Sequence, residues 1–321
     1  MIRRQSFYIV GLLLIILGLS MLFSVVCSLI YGDGDLIPLL QSIAVTIVSG
    51  LILVILFRSK NKKELSTHDG FAVVTMGWFA MAIFSALPFY FSGTLNYTNS
   101  FFEAMSGLTT TGATVLGNPT TLMIEALPHG VLFWRSFTQF IGGMGIIVFS
   151  IAILPMLGMG GVQLFRAEVA GPVADKITPR VKQTAKLLWG IYVGIVLILC
   201  LILKIEGMSW FDAICHAFTT LPTGGFSTQN ASIAAYGNPA IHYIIILFMF
   251  IAGVNFSLHF RSLTGNIKIS FKDPEFLAYI GITFAATLFI FLNIASAQGE
   301  WTHDNFLSSL FQSVSILTTT G

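Results

Sequence analysis

Long apolar stretches constrain this chain more than any other feature of its sequence. Seven of them are long enough to cross a bilayer, because a membrane-spanning helix needs about 20 mostly apolar residues. They cover 7–31, 36–57, 71–92, 131–156, 187–203, 240–260 and 276–296. Only 9% of the residues are charged, whereas soluble domains carry about 25%. The sequence therefore predicts an all-α integral membrane protein that contacts the lipid bilayer, and it gives no reason to expect nucleic acid as a partner.

Basic residues are confined to alternate connecting segments. The segments 32–35, 93–130, 205–239 and 297–321 contain neither Lys nor Arg. Since Lys and Arg are retained on the cytoplasmic side of membranes, we expect these four segments outside and the N-terminus inside. Arg135 and Lys204 depart from this segregation, and both are expected to extend towards the outer interface.

Three of the outer segments repeat one pattern. They read "SFFEAMSGLTTTG" from Ser100, "SWFDAICHAFTTLPTGG" from Ser209 and "SLFQSVSILTTTG" from Ser309. A Ser followed at the third position by Glu, Asp or Gln is typical of a capping box, which begins a helix. Each predicted helix is about 10 residues or ~15 Å long, half the hydrocarbon thickness. We therefore expect three re-entrant half-helices, the second with either an extra turn or a loop at "TTLP".

The Thr and Gly residues that end each pattern suit a monovalent cation. The C-terminus of a helix carries a partial negative charge, which favours a cation. Backbone carbonyl and Thr hydroxyl oxygens can replace the hydration shell of the ion, and Gly permits the left-handed backbone that this requires. Divalent cations usually recruit carboxylates, and the motifs contain none.

Four motifs together resemble the Trk/Ktr/HKT potassium transporter superfamily, in particular the TrkH-like membrane subunits of bacterial Trk potassium uptake systems. They are "TTTGAT" at 109–114, "TGGFST" at 223–228, "TTTG" at 318–321 and "FWRSFTQFIGGMGI" at 133–146. The resemblance implies fused membrane-helix, pore-helix, membrane-helix repeats of the potassium-channel type. The implied divisions are an N-terminal two-helix hairpin at 1–66, repeats at 67–165 and 166–266, and a third repeat at 267–321 that is truncated after its pore helix. We therefore expect an N-terminal fragment of a longer protein.

The resemblance also implies potassium uptake across the bacterial cytoplasmic (inner) membrane, with symport and a metal-binding filter. Potassium is then the substrate, and no organic cofactor is expected in this chain. The implied partners are a second copy in a homodimer and a TrkA-like cytosolic nucleotide-binding regulatory subunit, which would dock on the loop 157–186. The implied filter residues are Thr110, Thr111, Gly112, Thr223, Gly224, Gly225, Thr319, Thr320 and Gly321.

Gly224 and Gly225 compete for the filter position in the second copy. We prefer Gly225, because Phe226 then takes the place of Ala113.

Two other functions compete with potassium uptake: a secondary transporter of another small solute, and a cation transporter with poor potassium/sodium discrimination. Against the former, the repeats run in one orientation, whereas many secondary transporters use inverted repeats. An enzyme is not expected, because the sequence contains none of the common hydrolase or metalloprotease motifs.

The remaining polar and glycine-rich features favour packing roles. We expect "IGGMG" at 141–145 to pack closely against a neighbour, "GMGG" at 158–161 to form a loop, and His216 to be a polar packing residue. Asn255 and His259 either face a cytoplasmic vestibule or make helix-to-helix hydrogen bonds. The three cysteines are expected to pack as small apolar residues; they are Cys27, Cys200 and Cys215.

Overall fold

A computed structural model describes residues 4–58, 67–117, 121–152, 181–264 and 271–321. Within these ranges every regular element is a helix. The α-helices are α1 (Arg4–Ser20), α2 (Leu22–Tyr31), α3 (Leu36–Leu56), α4 (Thr67–Ser85), α5 (Leu87–Phe91), α6 (Tyr97–Leu108), α7 (His129–Ala152), α8 (Val181–Ile205), α9 (Trp210–Thr220), α10 (Pro239–Ala252), α11 (Phe256–Thr264), α12 (Pro274–Gln298) and α13 (His303–Leu317). Short 3₁₀ helices cover Ile124–Ala126 and Ser232–Ala235.

Five helical stretches in the described part of the chain are long and apolar enough to cross a membrane. They are Arg4–Tyr31, Leu36–Leu56, Gly70–Phe91, Lys186–Ile205 and Pro274–Ala297. They confirm five of the seven predicted spans. The predicted span 131–156 corresponds to α7, and its last residues lie outside the described ranges.

The predicted span 240–260 is wrong as a single helix, because α10 ends at Ala252 and α11 begins at Phe256. The backbone carbonyls freed at this break are satisfied by side chains. His259 Nε2 lies 2.9 Å from the carbonyl oxygen of Ile251, and the Tyr279 hydroxyl donates to that of Phe250 at 3.2 Å. The bond from His259 on α11 to Ile251 on α10 is a helix-to-helix hydrogen bond, which is one of the two roles left open by the sequence.

The chain forms two compact units. The first comprises Met1–Thr109, Ala113–Gly142 and Phe226–Asn230, and in it α1 packs against α3 and α4. The closest approach of α1 and α3 is at Gly11 and Gly50, where a Cβ on either glycine would lie 2.8 Å from the carbonyl oxygen of the other. Small residues allow membrane helices to approach in this way.

The second unit comprises Thr110–Gly112, Gly143–Gly225 and Ala231–Gly321. In it α8 packs against α9, α10 and α11, and α13 packs against α10 and α12. Most of the exposed side chains of α12 are apolar, and Phe289 is 73% exposed. Such surface is unfavourable in water and favourable in lipid, so the chain is a multi-pass membrane protein.

The glycines at 141–145 pack closely, as predicted. A Cβ at Gly142 would overlap the carbonyl oxygen of Leu108, and one at Gly143 would lie 2.6 Å from Pro222 Cβ and 2.7 Å from the Tyr192 hydroxyl. The predicted loop at 158–161 and most of the predicted docking loop 157–186 lie outside the described residues.

Candidate functional site

Three short helices lead into the Thr-Gly motifs, as the sequence predicted. They are α6, α9 and α13, with 12, 11 and 15 residues. Each begins at a polar side chain that accepts the backbone N–H of the third residue along, which satisfies one of the unpaired donors of the first turn. These caps are Asn96, Ser209 and Thr302, with distances of 2.9, 3.0 and 3.2 Å.

The predicted cap at Ser209 is confirmed, and those at Ser100 and Ser309 are wrong. The Ser100 hydroxyl donates to the Asn96 carbonyl at 2.8 Å and that of Ser309 to Asn305 at 2.6 Å. Both serines therefore lie inside helices that began earlier. The capping-box pattern gave a wrong prediction at these two positions, because Ser and Thr hydroxyls inside a helix also bond to the carbonyl one turn back.

Because the first short helix is capped by Asn96 and not by Ser100, the pattern that begins at Ser209 needs no extra turn. Asn96 stands as far before Gly112 as Ser209 stands before Gly225. The two copies therefore have equal length from cap to glycine, and neither a longer helix nor a loop at "TTLP" is needed.

The residues after the three helices share one backbone conformation. We call 110–112, 223–225 and 319–321 the Thr-Gly segments. The first and last residue of each has a positive φ, with values of 53° and 77° at Thr110 and Gly112, 57° and 75° at Thr223 and Gly225, and 60° and 90° at Thr319 and Gly321. A β-branched residue rarely adopts this conformation, which costs about 1–3 kcal/mol and is concentrated at functional sites.

The three Thr-Gly segments lie side by side within the second unit. A Cβ at Gly112 would overlap the carbonyl oxygen of Gly224 and lie 3.5 Å from that of Thr320. A Cβ at Gly225 would overlap the Thr320 oxygen and lie 3.2 Å from that of Gly321, while one at Gly321 would meet nothing within 4 Å. Backbone oxygens from two segments thus pack against the glycines of their neighbours, and a side chain at Gly112 or Gly225 would displace them.

Hydrogen bonds to the preceding helices hold the second and third segments in this conformation. The backbone N–H groups of Gly224 and Gly225 both donate to the Thr219 carbonyl, at 2.9 and 3.2 Å. The N–H of Thr320 donates to the Ser315 carbonyl at 2.8 Å. These bonds use carbonyls at the helix ends as acceptors. Backbone carbonyl oxygens in segments of this kind can coordinate a cation.

A buried ion pair in the first unit was missed by the sequence reasoning. Arg135 was expected to extend towards the outer interface, but its side chain is 1% exposed and its Nε donates to Glu103 Oε1 at 2.7 Å. The expectation was wrong because a guanidinium can also be stabilised by a buried carboxylate. The signal was present, since Arg135 is the only basic residue of its predicted span and Glu103 lies in the short helix before it.

The other polar residues singled out in the sequence have local roles. His216 is buried, and its Nδ1 lies 2.8 Å from the Asp212 carbonyl oxygen, which agrees with the predicted packing role. Cys200 and Cys215 are buried and Cys27 is half-buried, all as free thiols. Among the described residues no group of three or more His, Cys, Asp or Glu side chains could hold a metal ion.

Comparison with known proteins identifies relatives along almost the whole chain. Residues 39–321 match the TrkH family, which is described as a cation transport protein. The chain is 43% identical over 324 residues to the Trk system potassium uptake protein TrkH of Escherichia coli K12, and 33% identical over 333 residues to the Trk system potassium uptake protein TrkG of the same organism. The TrkH alignment covers 98% of this chain and the TrkG alignment 99%, and each covers 65% of the relative. The chain thus spans slightly less than two thirds of the length of these curated relatives.

The fold also matches a solved structure. The potassium transporter TrkH from Vibrio parahaemolyticus superposes with a TM-score of 0.84 at 37% sequence identity, covering 98% of this chain and 64% of that chain. The family match, the relatives and this superposition agree with one another. The chain therefore belongs to the TrkH family of cation transport proteins.

Proposed function

We propose that this chain forms the potassium-selective part of an uptake protein in the bacterial cytoplasmic membrane. The observation that carries the proposal is the backbone shared by the three Thr-Gly segments, each with two positive φ values. Carbonyl oxygens of the second and third segments also pack against glycines of their neighbours. The family relationship supports the same reading, since the relatives are named potassium uptake proteins. Because the chain spans 65% of these relatives, the proposal concerns the complete protein that contains these residues.

The proposed filter residues are those expected from the sequence: Thr110, Thr111, Gly112, Thr223, Gly224, Gly225, Thr319, Thr320 and Gly321. Their backbone carbonyl and hydroxyl oxygens replace water around the ion. Gly225 rather than Gly224 takes the filter-glycine position, because its φ of 75° corresponds to the 77° of Gly112 and the 90° of Gly321.

The arrangement in the membrane is part of the same proposal. The N-terminus lies in the cytoplasm, and the chain is divided into a hairpin at 1–66 and repeats at 67–165, 166–266 and 267–321. The complete protein forms a homodimer and binds a TrkA-like nucleotide-binding subunit through 157–186. Deletion of 160–180 is expected to abolish co-purification with such a subunit, and co-purification that survives the deletion contradicts this docking site.

The transport proposal is tested by ion uptake in cells that lack their own potassium uptake systems. The complete protein is expected to restore rubidium uptake, with much slower sodium uptake under the same conditions. Equal uptake of the two ions would favour a poorly discriminating cation transporter, and uptake of neither would reject the proposal. Cells carrying the empty vector provide the baseline.

A further inference from the structure

We propose that the buried pair Glu103–Arg135 positions the chain after the first two Thr-Gly segments and thereby controls discrimination between potassium and sodium. The inference rests on the proposed function. It assigns to both residues a positioning role, because neither belongs to the Thr-Gly segments themselves. We call 113–117 and 226–230 the trailing segments, since they directly follow Gly112 and Gly225 in the sequence.

The carboxylate of Glu103 holds the first trailing segment. Its Oε1 accepts the Thr114 hydroxyl at 2.8 Å, and its Oε2 accepts the backbone N–H of Val115 at 3.1 Å. Thr114 lies two residues beyond Gly112. The first Thr-Gly segment is therefore separated by one residue, Ala113, from a side chain that is bonded to a buried carboxylate on α6.

The guanidinium of Arg135 holds the second trailing segment. Its Nη1 donates to the Ser227 carbonyl at 2.8 Å, and its central carbon lies 3.7 Å from the centroid of the Phe226 ring. One turn further along α7, the Gln139 side-chain oxygen accepts the backbone N–H of Phe226 at 3.2 Å. Since Phe226 directly follows Gly225, these contacts fix the end of the second Thr-Gly segment.

Stability alone does not account for such a pair. Glu103 is 0% exposed and Arg135 1%, and each buried ion loses several kcal/mol of hydration, so that apolar side chains of similar volume are often at least as stable. Apolar side chains, however, could not bond to both trailing segments. A planar guanidinium with five donors can bind a carboxylate and a carbonyl while it stacks on a ring, which an ammonium cannot do.

In the described part of the chain, a glutamine stands before the third Thr-Gly segment at the position that corresponds to Glu103. Gln312 stands as far before Gly321 as Glu103 stands before Gly112, and Gln312 is exposed. The pair therefore acts on two segments out of three, which makes the spacing between those two the quantity that it controls. Coordination sites of this kind lose function when their geometry loosens by about 0.5 Å or more.

The decisive experiment compares rubidium and sodium uptake by the complete protein with Arg135 and Glu103 altered. Arg135→Lys retains the charge but cannot make all three contacts, and Glu103→Gln retains size but weakens the pair. Each is expected to reduce the rubidium/sodium uptake ratio about tenfold, because both trailing segments gain freedom. Thr114→Val, on an exposed residue, is expected to reduce the ratio by a smaller factor in the same direction.

Trp134→Phe is the matched control. Trp134 neighbours Arg135 on α7, is 0% exposed, and donates from Nε1 to the Ser85 carbonyl at 2.9 Å. Its loss should lower the thermal unfolding midpoint in detergent while leaving the rubidium/sodium ratio at the wild-type value. The rubidium/sodium uptake ratio therefore distinguishes the two roles. Loss of a positioning residue lowers the ratio, whereas loss of a merely structural residue such as Trp134 lowers only the unfolding midpoint.

The outcomes are distinguishable. If the wild-type protein fails to prefer rubidium, the proposed function itself is rejected. If the wild type prefers rubidium and folded Arg135→Lys or Glu103→Gln keeps that preference, the positioning role is overturned. If those two variants fail to fold, Thr114→Val decides, because an unchanged ratio in that variant also overturns the role.

Discussion

Two regions of the first unit, both expected within the membrane, are held together by different forces. The hairpin of α1, α2 and α3 packs through small residues. A Cβ added to Gly11 or to Gly50 would lie 2.8 Å from the carbonyl oxygen of the other glycine. The region around α6 and the start of α7 is held by the buried Glu103–Arg135 pair. The comparison teaches that close van der Waals packing suffices to hold a hairpin in lipid, whereas a site that must place oxygens needs directional bonds.

The largest expected effect is on ion discrimination and comes from Gly225→Ser. A Cβ there overlaps the Thr320 carbonyl oxygen, and the φ of 75° is unfavourable for any residue with a side chain. We expect the rubidium/sodium uptake ratio to fall more than about tenfold, because the strain and the displaced oxygen together cost roughly 1–3 kcal/mol or more. An unchanged ratio in the complete protein would remove Gly225 from the filter. Gly237→Ser, where a Cβ meets nothing within 4 Å, is the control.

In the hairpin, a substitution is expected to lower thermal stability and to leave ion discrimination unchanged. Gly11→Leu forces α1 away from α3, and overpacking of this kind costs about 1–3 kcal/mol. We expect a lower thermal unfolding midpoint in detergent and a wild-type rubidium/sodium ratio in the molecules that remain folded. Gly190→Leu, on an exposed face of α8 with open space around it, should leave both quantities near wild type. A change in ion discrimination by Gly11→Leu would break the distinction between the two regions.

A smaller effect, on stability, is expected from substitutions at the predicted caps of the short helices. Ser209→Ala removes a cap and is expected to cost about 1 kcal/mol of stability. Ser309→Ala removes a hydroxyl inside α13 that bonds to the Asn305 carbonyl, and it should cost much less, because Ala is the better helix former. Thermal unfolding of the two variants side by side measures the difference. Equal losses would contradict the assignment of Thr302 as the third cap.

The smallest effect is expected at the turn between α2 and α3 of the hairpin, and it depends on pH. The pKa of Asp33 is lowered, chiefly because its carboxylate accepts the backbone N–H of His129, with the imidazole adding a second bond, while partial burial opposes the shift. The stability that Asp33 contributes is therefore fully present above its unfolded pKa of about 3.9 and is lost as the pH falls through its lower folded value. Asp33→Asn should lower the unfolding midpoint slightly at pH 7, and the difference from wild type should shrink towards about pH 3. A difference that is constant with pH would exclude an ionic contribution.

Apolar length and repetition allowed much of the fold to be predicted. Five spans, three short helices and their Thr-Gly ends follow from local patterns, because hydropathy and helix signals depend on neighbours in the sequence. The break at Gly253 could not be predicted, since the bonds that stabilise it come from His259 and Tyr279, eight and 29 residues from the carbonyls they contact.

For the candidate site, the sequence led to a set of filter residues, but it did not predict correctly the side chains that hold the surrounding helices and segments in place. The filter residues stay a prediction that the shared φ values favour. The predictions of caps at Ser100 and Ser309 were wrong, because a Ser at such a position can either cap a helix or bond to the carbonyl one turn back inside a helix. The burial of Arg135 was missed, because a single charge in an apolar stretch does not indicate whether its partner is lipid headgroup, water or a carboxylate 32 positions away.

The bond between Arg135 and Ser227, 92 residues apart in the chain, has a consequence for biosynthesis. A ribosome adds roughly 5–20 residues per second, so Ser227 is polymerised about 5–20 s after Arg135. During that interval Arg135 has no Ser227 carbonyl to bond to, whereas Glu103 is already present in the chain. The bond between Arg135 and Glu103 can therefore form first, and the bond between Arg135 and Ser227 can form only after the later part of the chain has been synthesised.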